Sequence, residues 1–169
     1  MKLLVGPLQD VAALCAAHRP SHLVTWLSPL DTPPELAADF APQRRLLLSS
    51  HDVAMVIEGY QAPAAEDVAR LLAFAGEWDG ARPLLAHCWA GVSRSTAAAF
   101  VIACARSARP ERDIARALRA ASPSATPNSL IVAHADALLR REGRMIAAVA
   151  EIGRGAEVSL GASFELLLD

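Results

Sequence analysis

His87-Cys88-Trp89-Ala90-Gly91-Val92-Ser93-Arg94-Ser95-Thr96 is the stretch on which the reading of this chain turns. The apolar run 83–86 before it reads as a buried strand. Residues 95–107 after it are apolar nearly all round and read as a helix buried against a sheet. A strand thus ends at Cys88, five residues make a loop, and a helix starts near Arg94. Cysteine attacks as its thiolate, a form favoured at a helix N-terminus. Successive backbone N–H groups in a loop that enters a helix make a nest for an anion. An arginine grips two oxygens of a phosphate at once, which a lysine cannot do. Gly91 suits a loop that must turn its amides inward. Trp89, Ala90, Gly91, Val92, Ser93 and Arg94 are therefore the candidate phosphate-binding residues, with Cys88 the candidate nucleophile. The Ser95 hydroxyl, in the first helical turn, is placed to reach back to the sulfur. His87 is a candidate for orienting the cysteine through hydrogen bonds to loop carbonyls.

Outward from this segment, short apolar runs alternate with longer helical patterns, the mark of an α/β sheet. Strands are expected at 2–5, 22–27 and 45–49, besides the run into Cys88. Helices are expected at 8–18, 64–78, 95–107, 110–121 and 128–142, the last ended by Gly143, and a further one at 145–152. The segment 31–40 has room for one or two helical turns. The fold class expected is α/β: one domain over 1–169, with a mostly parallel central sheet flanked by helices and the site at the C-terminal edge of the sheet. The tail 153–169 has no assignment from its pattern.

The chain has 169 residues and a net charge of -2, a balance unlike that of an electrostatic nucleic-acid binder. Lys2 is its single lysine against fifteen arginines, and with many alanines this composition points to a bacterial source. No secretory signal is read at the start, and no apolar run has the length of a membrane span. Three cysteines, an odd number, argue against a disulfide framework, so a reducing cytoplasm is expected. Cys15 and Cys104 lie on apolar helical faces and read as core. No cluster has metal-ligand spacing, so no cofactor or metal is expected.

The string HCWAGVSRS resembles the H-C-x5-R-[ST] signature of the protein tyrosine and dual-specificity phosphatase superfamily, and its A-G-x-S-R-S ending the dual-specificity branch. The resemblance is sharp over 83–105 and fainter at His51-Asp52 and at 123–128. It implies phosphomonoester hydrolysis through a phosphocysteine intermediate, without metal. Cys88 is then the nucleophile, Arg94 the clamp on phosphate and transition state, and Ser95 the residue that eases breakdown of the intermediate. The partners implied are a phosphorylated protein or a small phosphate ester. A loop without lysine tilts the expectation away from inositol phospholipids and toward phosphotyrosine or other phosphoproteins.

Departure of an alcohol or phenol from phosphate needs a proton donor. Asp52 follows a predicted strand and is the candidate, with Glu58 as the alternative; Glu66 and Asp67 read as acids at a helix N-terminus. His51 has no assigned role. Trp89 is expected to pack under the loop, and Trp26, Trp78 and Phe100 to lie in the core. Arg109, Arg112, Arg116 and Arg119 read as a solvated helix face rather than a site for an anionic partner. Other functions open at this stage are a phosphate-binding module without turnover, a sulfurtransferase and an arsenate reductase.

Overall fold

A computed structural model describes residues 1–169, with every side chain except that of Phe40. Five strands form one sheet: β1 (Lys2–Pro7), β2 (His22–Leu27), β3 (Arg44–Ser49), β4 (Leu84–Cys88) and β5 (Phe164–Leu167). Their order is β3-β2-β4-β1-β5. All neighbours are parallel except β1 and β5, which run antiparallel. The helices are α1 (Val11–His18), α2 (Ala65–Gly76), α3 (Arg94–Arg106), α4 (Glu111–Ala121), α5 (Ser129–Leu138) and α6 (Arg144–Ile152). The α/β class and the mostly parallel sheet agree with expectation.

Both faces of the sheet are covered, which explains why its strands read as continuous apolar runs rather than alternating ones. Leu3, Val5, Val24, Trp26, Leu84 and Ala86 point into the larger core, with residues of α2 to α6. Leu4, Leu23 and Leu85 point to the other face and meet Val11 and Cys15 of α1. Helix α3 lies inside the larger core, and every residue from Arg94 to Cys104 is buried.

Several expectations are corrected. The helix expected over 8–18 begins as a 3-10 turn, Leu8–Asp10, before α1. Within 31–40 the regular structure is one 3-10 turn, Ala38–Phe40. Trp78 lies beyond the end of α2 yet stays buried, its indole N–H donating to the Arg82 carbonyl at 2.7 Å. The helix expected to run to Glu142 stops at Leu138, and Gly143 starts the next helix instead of ending this one. Asp136 is the reason. This buried carboxylate accepts from the amides of Gly143 (2.7 Å) and Met145 (2.9 Å) and so caps α6. Arg140, Glu142 and Gly143 take positive φ to turn the chain toward it. The tail has no regular structure until Phe164, where it joins the edge of the sheet as β5, and Leu166 and Leu168 are buried.

Phe100, fully buried at the middle of α3, joins that helix to the core that carries the loop. Phe100→Ala is expected to lower unfolding free energy by about 3–5 kcal/mol. Urea denaturation followed by circular dichroism measures this.

Candidate active site

Strands β1 and β4 are neighbours, but their outgoing connections part. The chain leaves β1 for α1 on one face and leaves β4 for α3 on the other. A crevice at the carboxyl ends of strands is the usual ligand site of such sheets. Residues 89–93 fill this one. Gly91 has φ +72, and a Cβ there would lie 2.6 Å from the Pro7 nitrogen and 2.8 Å from the Gly6 carbonyl carbon. Glycine is required both by the left-handed backbone and by the approach to the end of β1.

Donors from elsewhere in the chain hold four of the five loop carbonyls. The Trp89 carbonyl accepts from Leu8 N (3.1 Å), that of Ala90 from Gly161 N (2.8 Å), and that of Val92 from Thr126 N (2.9 Å). The Ser93 carbonyl accepts from Ala97 N (2.9 Å) and Asn128 N (3.3 Å). The Thr96 hydroxyl adds bonds to Val92 and Ser93 at 2.5 and 2.9 Å. Among the described residues no amide from Trp89 to Arg94 donates to a protein acceptor. With the carbonyls turned out, the N–H groups face the loop centre, the geometry of an anion nest.

Cys88 is buried, and its Sγ lies 3.2 Å from Ser95 Oγ, the thiol donating to the hydroxyl. Once the sulfur is a thiolate the bond reverses and the hydroxyl donates. Arg94 is anchored on one side only. Its Nη1 donates to the Ser50 carbonyl (2.7 Å) and to Ser28 Oγ (3.2 Å). Its Nε is buried without a hydrogen-bond partner, 3.9 Å from Asp52 Oδ2. A buried guanidinium N–H left unpaired is costly, and an arriving oxyanion would satisfy it.

Asp52 stands at the loop. Its Oδ1 accepts from Ser93 Oγ (2.7 Å) and Asn128 Nδ2 (2.8 Å), while Oδ2 has no donor nearer than the Arg94 nitrogen. Glu58 is exposed and has no partner among the described residues, whereas Asp52 contacts the loop through Ser93. His51 pins the base of the segment between them. Its Nδ1 accepts from Gln61 N at 3.0 Å, and its backbone N–H donates to the Gln61 carbonyl. Asp67 accepts from Ala64 N at 3.1 Å and serves the start of α2.

The expectation for His87 is corrected in part. Its Nε2 pairs with Thr25 Oγ1 at 2.8 Å across the β2–β4 register, away from the loop. Burial pushes its pKa down to about 4, with the Cys88 backbone pulling weakly the other way. The ring is therefore neutral at ordinary pH. Trp89 is corrected too: rather than packing under the loop, it is 55% exposed. Cys15 and Cys104 are buried, and burial raises both thiols, Cys104 to about 12. Arg112 and Arg116 pair with Glu151, and Arg119 donates to the carbonyls of Ala125, Ile152 and Gly153.

Sequence reasoning missed Ser28, Ser50, Thr96, Thr126, Asn128 and Gly161. Asn128 had a signal, since a short polar residue before a helix is an N-cap, and its Oδ1 does accept from Leu130 and Ile131. The cap role left no reason to look for its Nδ2 on Asp52. Gly161 had no local signal, because its partner Ala90 is 71 positions away.

No family model and no curated protein matches the sequence. Solved structures do match in fold. DUSP15 is 19% identical, covers 89% of each chain and has a TM-score of 0.62. A mouse putative dual specificity phosphatase complexed with zinc tungstate is 16% identical over 87% of this chain and 86% of its own, with a TM-score of 0.63. PTPMT1 in complex with PI(5)P is 15% identical over 83% and 94%, with a TM-score of 0.62. The chain has the fold of dual-specificity phosphatases.

His87 generates a pH prediction. The unfolded chain binds a proton on this ring near pH 6.5, and the folded chain only near pH 4. Stability therefore falls as pH drops from about 6.5 to 4, by up to about 3 kcal/mol. In His87→Gln this part of the acid loss disappears, as urea unfolding at pH 7 and pH 4.5 will measure; an unchanged difference between the two pH values would contradict the assignment.

Proposed function

We propose that this chain, with the fold of dual-specificity phosphatases, hydrolyses phosphomonoesters through a phosphocysteine intermediate. The observation that carries the reading is the ring of unpaired N–H groups beside Cys88: the amides of 89–94 and Arg94 Nε. Such donors match the three non-bridging oxygens of a phosphoryl group and hold them as charge spreads in the transition state.

In the first step Cys88 Sγ attacks phosphorus and the bond to the leaving oxygen breaks, while Asp52 delivers a proton to that oxygen. Ser93 and Asn128 hold Oδ1, which leaves Oδ2 as the oxygen to carry the proton. In the second step water attacks phosphorus, Asp52 takes its proton, and the P–S bond breaks. The Ser95 hydroxyl, 3.2 Å from the sulfur, donates to the departing thiolate. Arg94 keeps its bonds to Ser50 and Ser28 throughout, so its free edge is already oriented when phosphate arrives. None of these steps needs a metal, and activity is expected to survive EDTA. The substrate class is a phosphorylated protein, with phosphotyrosine first, since the loop carries no lysine for a multiply phosphorylated headgroup.

Cys88→Ser should abolish turnover of p-nitrophenyl phosphate while calorimetry still detects bound inorganic phosphate, because the amides and Arg94 remain. Retained turnover in that variant would refute the nucleophile.

Asp52→Asn tests the proton donor. With a phosphotyrosine peptide it should slow phosphocysteine formation by about 100- to 10,000-fold. With an activated ester, whose leaving group departs as an anion, the loss should be far smaller, and Glu58→Gln should change neither. Equal losses on both esters would remove Asp52 from the role.

A further inference from the structure

A groove of about 410 Å³ opens beside the loop, lined by Leu8, Gln9, Trp89, Ser159 and Leu160. No charged residue lines it. Trp89 and Leu160 are exposed in it, at 55% and 41%. An exposed tryptophan flanked by leucines is a costly surface to leave in water and marks a contact site. The fold determines what can sit there. Trp89 follows Cys88 directly and its amide belongs to the ring of free donors, so the groove opens at the rim of the loop that would hold the phosphate.

Chemistry narrows the occupant further. No cation lines the groove, and the acids Asp52 and Glu157 line a neighbouring cleft of about 600 Å³, where Arg154 is already ion-paired with Glu157. That setting, with a net charge of -2, disfavours acidic flanks and an anionic lipid surface. The groove is near the small end of ligand sites and suits one side chain rather than a long chain. The Gln9 side chain has no partner among the described residues and offers both a donor and an acceptor to a peptide backbone at the groove edge.

We propose that Leu8, Trp89 and Leu160 form a subsite for an apolar side chain adjacent to the phosphorylated residue of a peptide substrate. The proposal rests on the phosphatase reading above. It makes the tail a recognition element, because residue 160 supplies one wall while Gly161, next in the chain, holds the Ala90 carbonyl.

The test uses the full chain, p-nitrophenyl phosphate, and phosphotyrosine peptides that differ only by leucine or serine at each position from two before to two after the phosphotyrosine. Leucine at one of these positions should raise kcat/KM about tenfold over serine. Leu160→Ser and Leu8→Ser, each checked for folding by circular dichroism, should cut that gain below about threefold. Leu47→Ser, at an exposed leucine on β3, should leave it whole. Failure to hydrolyse any ester would sink the phosphatase reading and the subsite with it. Turnover of p-nitrophenyl phosphate without a leucine preference, or a preference that survives both substitutions, would overturn the subsite alone. So would a gain seen only with decyl phosphate in vesicles, which would make the occupant an amphiphile.

Discussion

The site depends on the direction in which five peptide units point. A loop that is to receive an oxyanion must turn its N–H groups to the centre, which forces its carbonyls outward, where they need donors of their own. Those donors come from four places far apart in the chain: Leu8 after β1, Ala97 and Thr96 in α3, Thr126 and Asn128 before α5, and Gly161 in the tail. Each must arrive within about 3 Å. The loop geometry is thus a property of the whole fold, and the local sequence only permits it. The glycines show how close the approaches are. A Cβ at Gly161 would lie 3.1 Å from the Gly91 carbonyl oxygen, and one at Gly155 would lie 2.5 Å from the Ser124 carbonyl carbon. At Gly155 and Gly161 the tail comes so near its neighbours that a side chain would have to displace them.

A second set of contacts ties the arginine to the core. Trp26, fully buried on β2, donates its indole N–H to Ser50 Oγ at 2.8 Å. The Ser50 carbonyl then accepts from Arg94, and Ser28, just past the end of β2, accepts from the same nitrogen. The two strand ends hold one edge of the guanidinium in place. Asp52 is two residues beyond Ser50, so the segment that anchors the arginine also sets the carboxylate. Burial of an aromatic ring in the sheet is in this way coupled to the spacing of two charged groups at its rim.

The difference between what could be read from the sequence and what could not follows from range. Strand β4, the loop and α3 were legible because their signals are local: an apolar run, a glycine, an apolar helix. The His22–Leu27 strand agrees to the residue for the same reason. Cys88, Arg94 and Ser95 fall within eight positions, so their juxtaposition needs only a strand–loop–helix turn. Contacts made across the fold were not legible. His87 was expected to serve the loop, but the β2–β4 register sets it opposite Thr25. The extent of α5 was misjudged because the buried cap Asp136 outweighs the helical pattern that continues past it. Trp89 was expected under the loop, but there Gly91 abuts Pro7, and the Trp89 side chain is exposed instead.

That last contact separates two kinds of work in the loop. The face toward the phosphate is main chain, and the amides of Trp89, Ala90 and Val92 offer the same donor whatever side chain they carry. Replacing these side chains need not alter anion binding, provided the outer carbonyls keep their donors. The side chains that point away from the phosphate are then free to vary with the carrier of the phosphate. A lysine at position 89 would favour a second anion, whereas the tryptophan here, between Leu8 and Leu160, would favour an apolar neighbour under the proposed reading. On the proposed function, affinity for the phosphoryl group would rest on remote donors such as Gly161 N, and discrimination among its carriers on the rim, so the two could change independently.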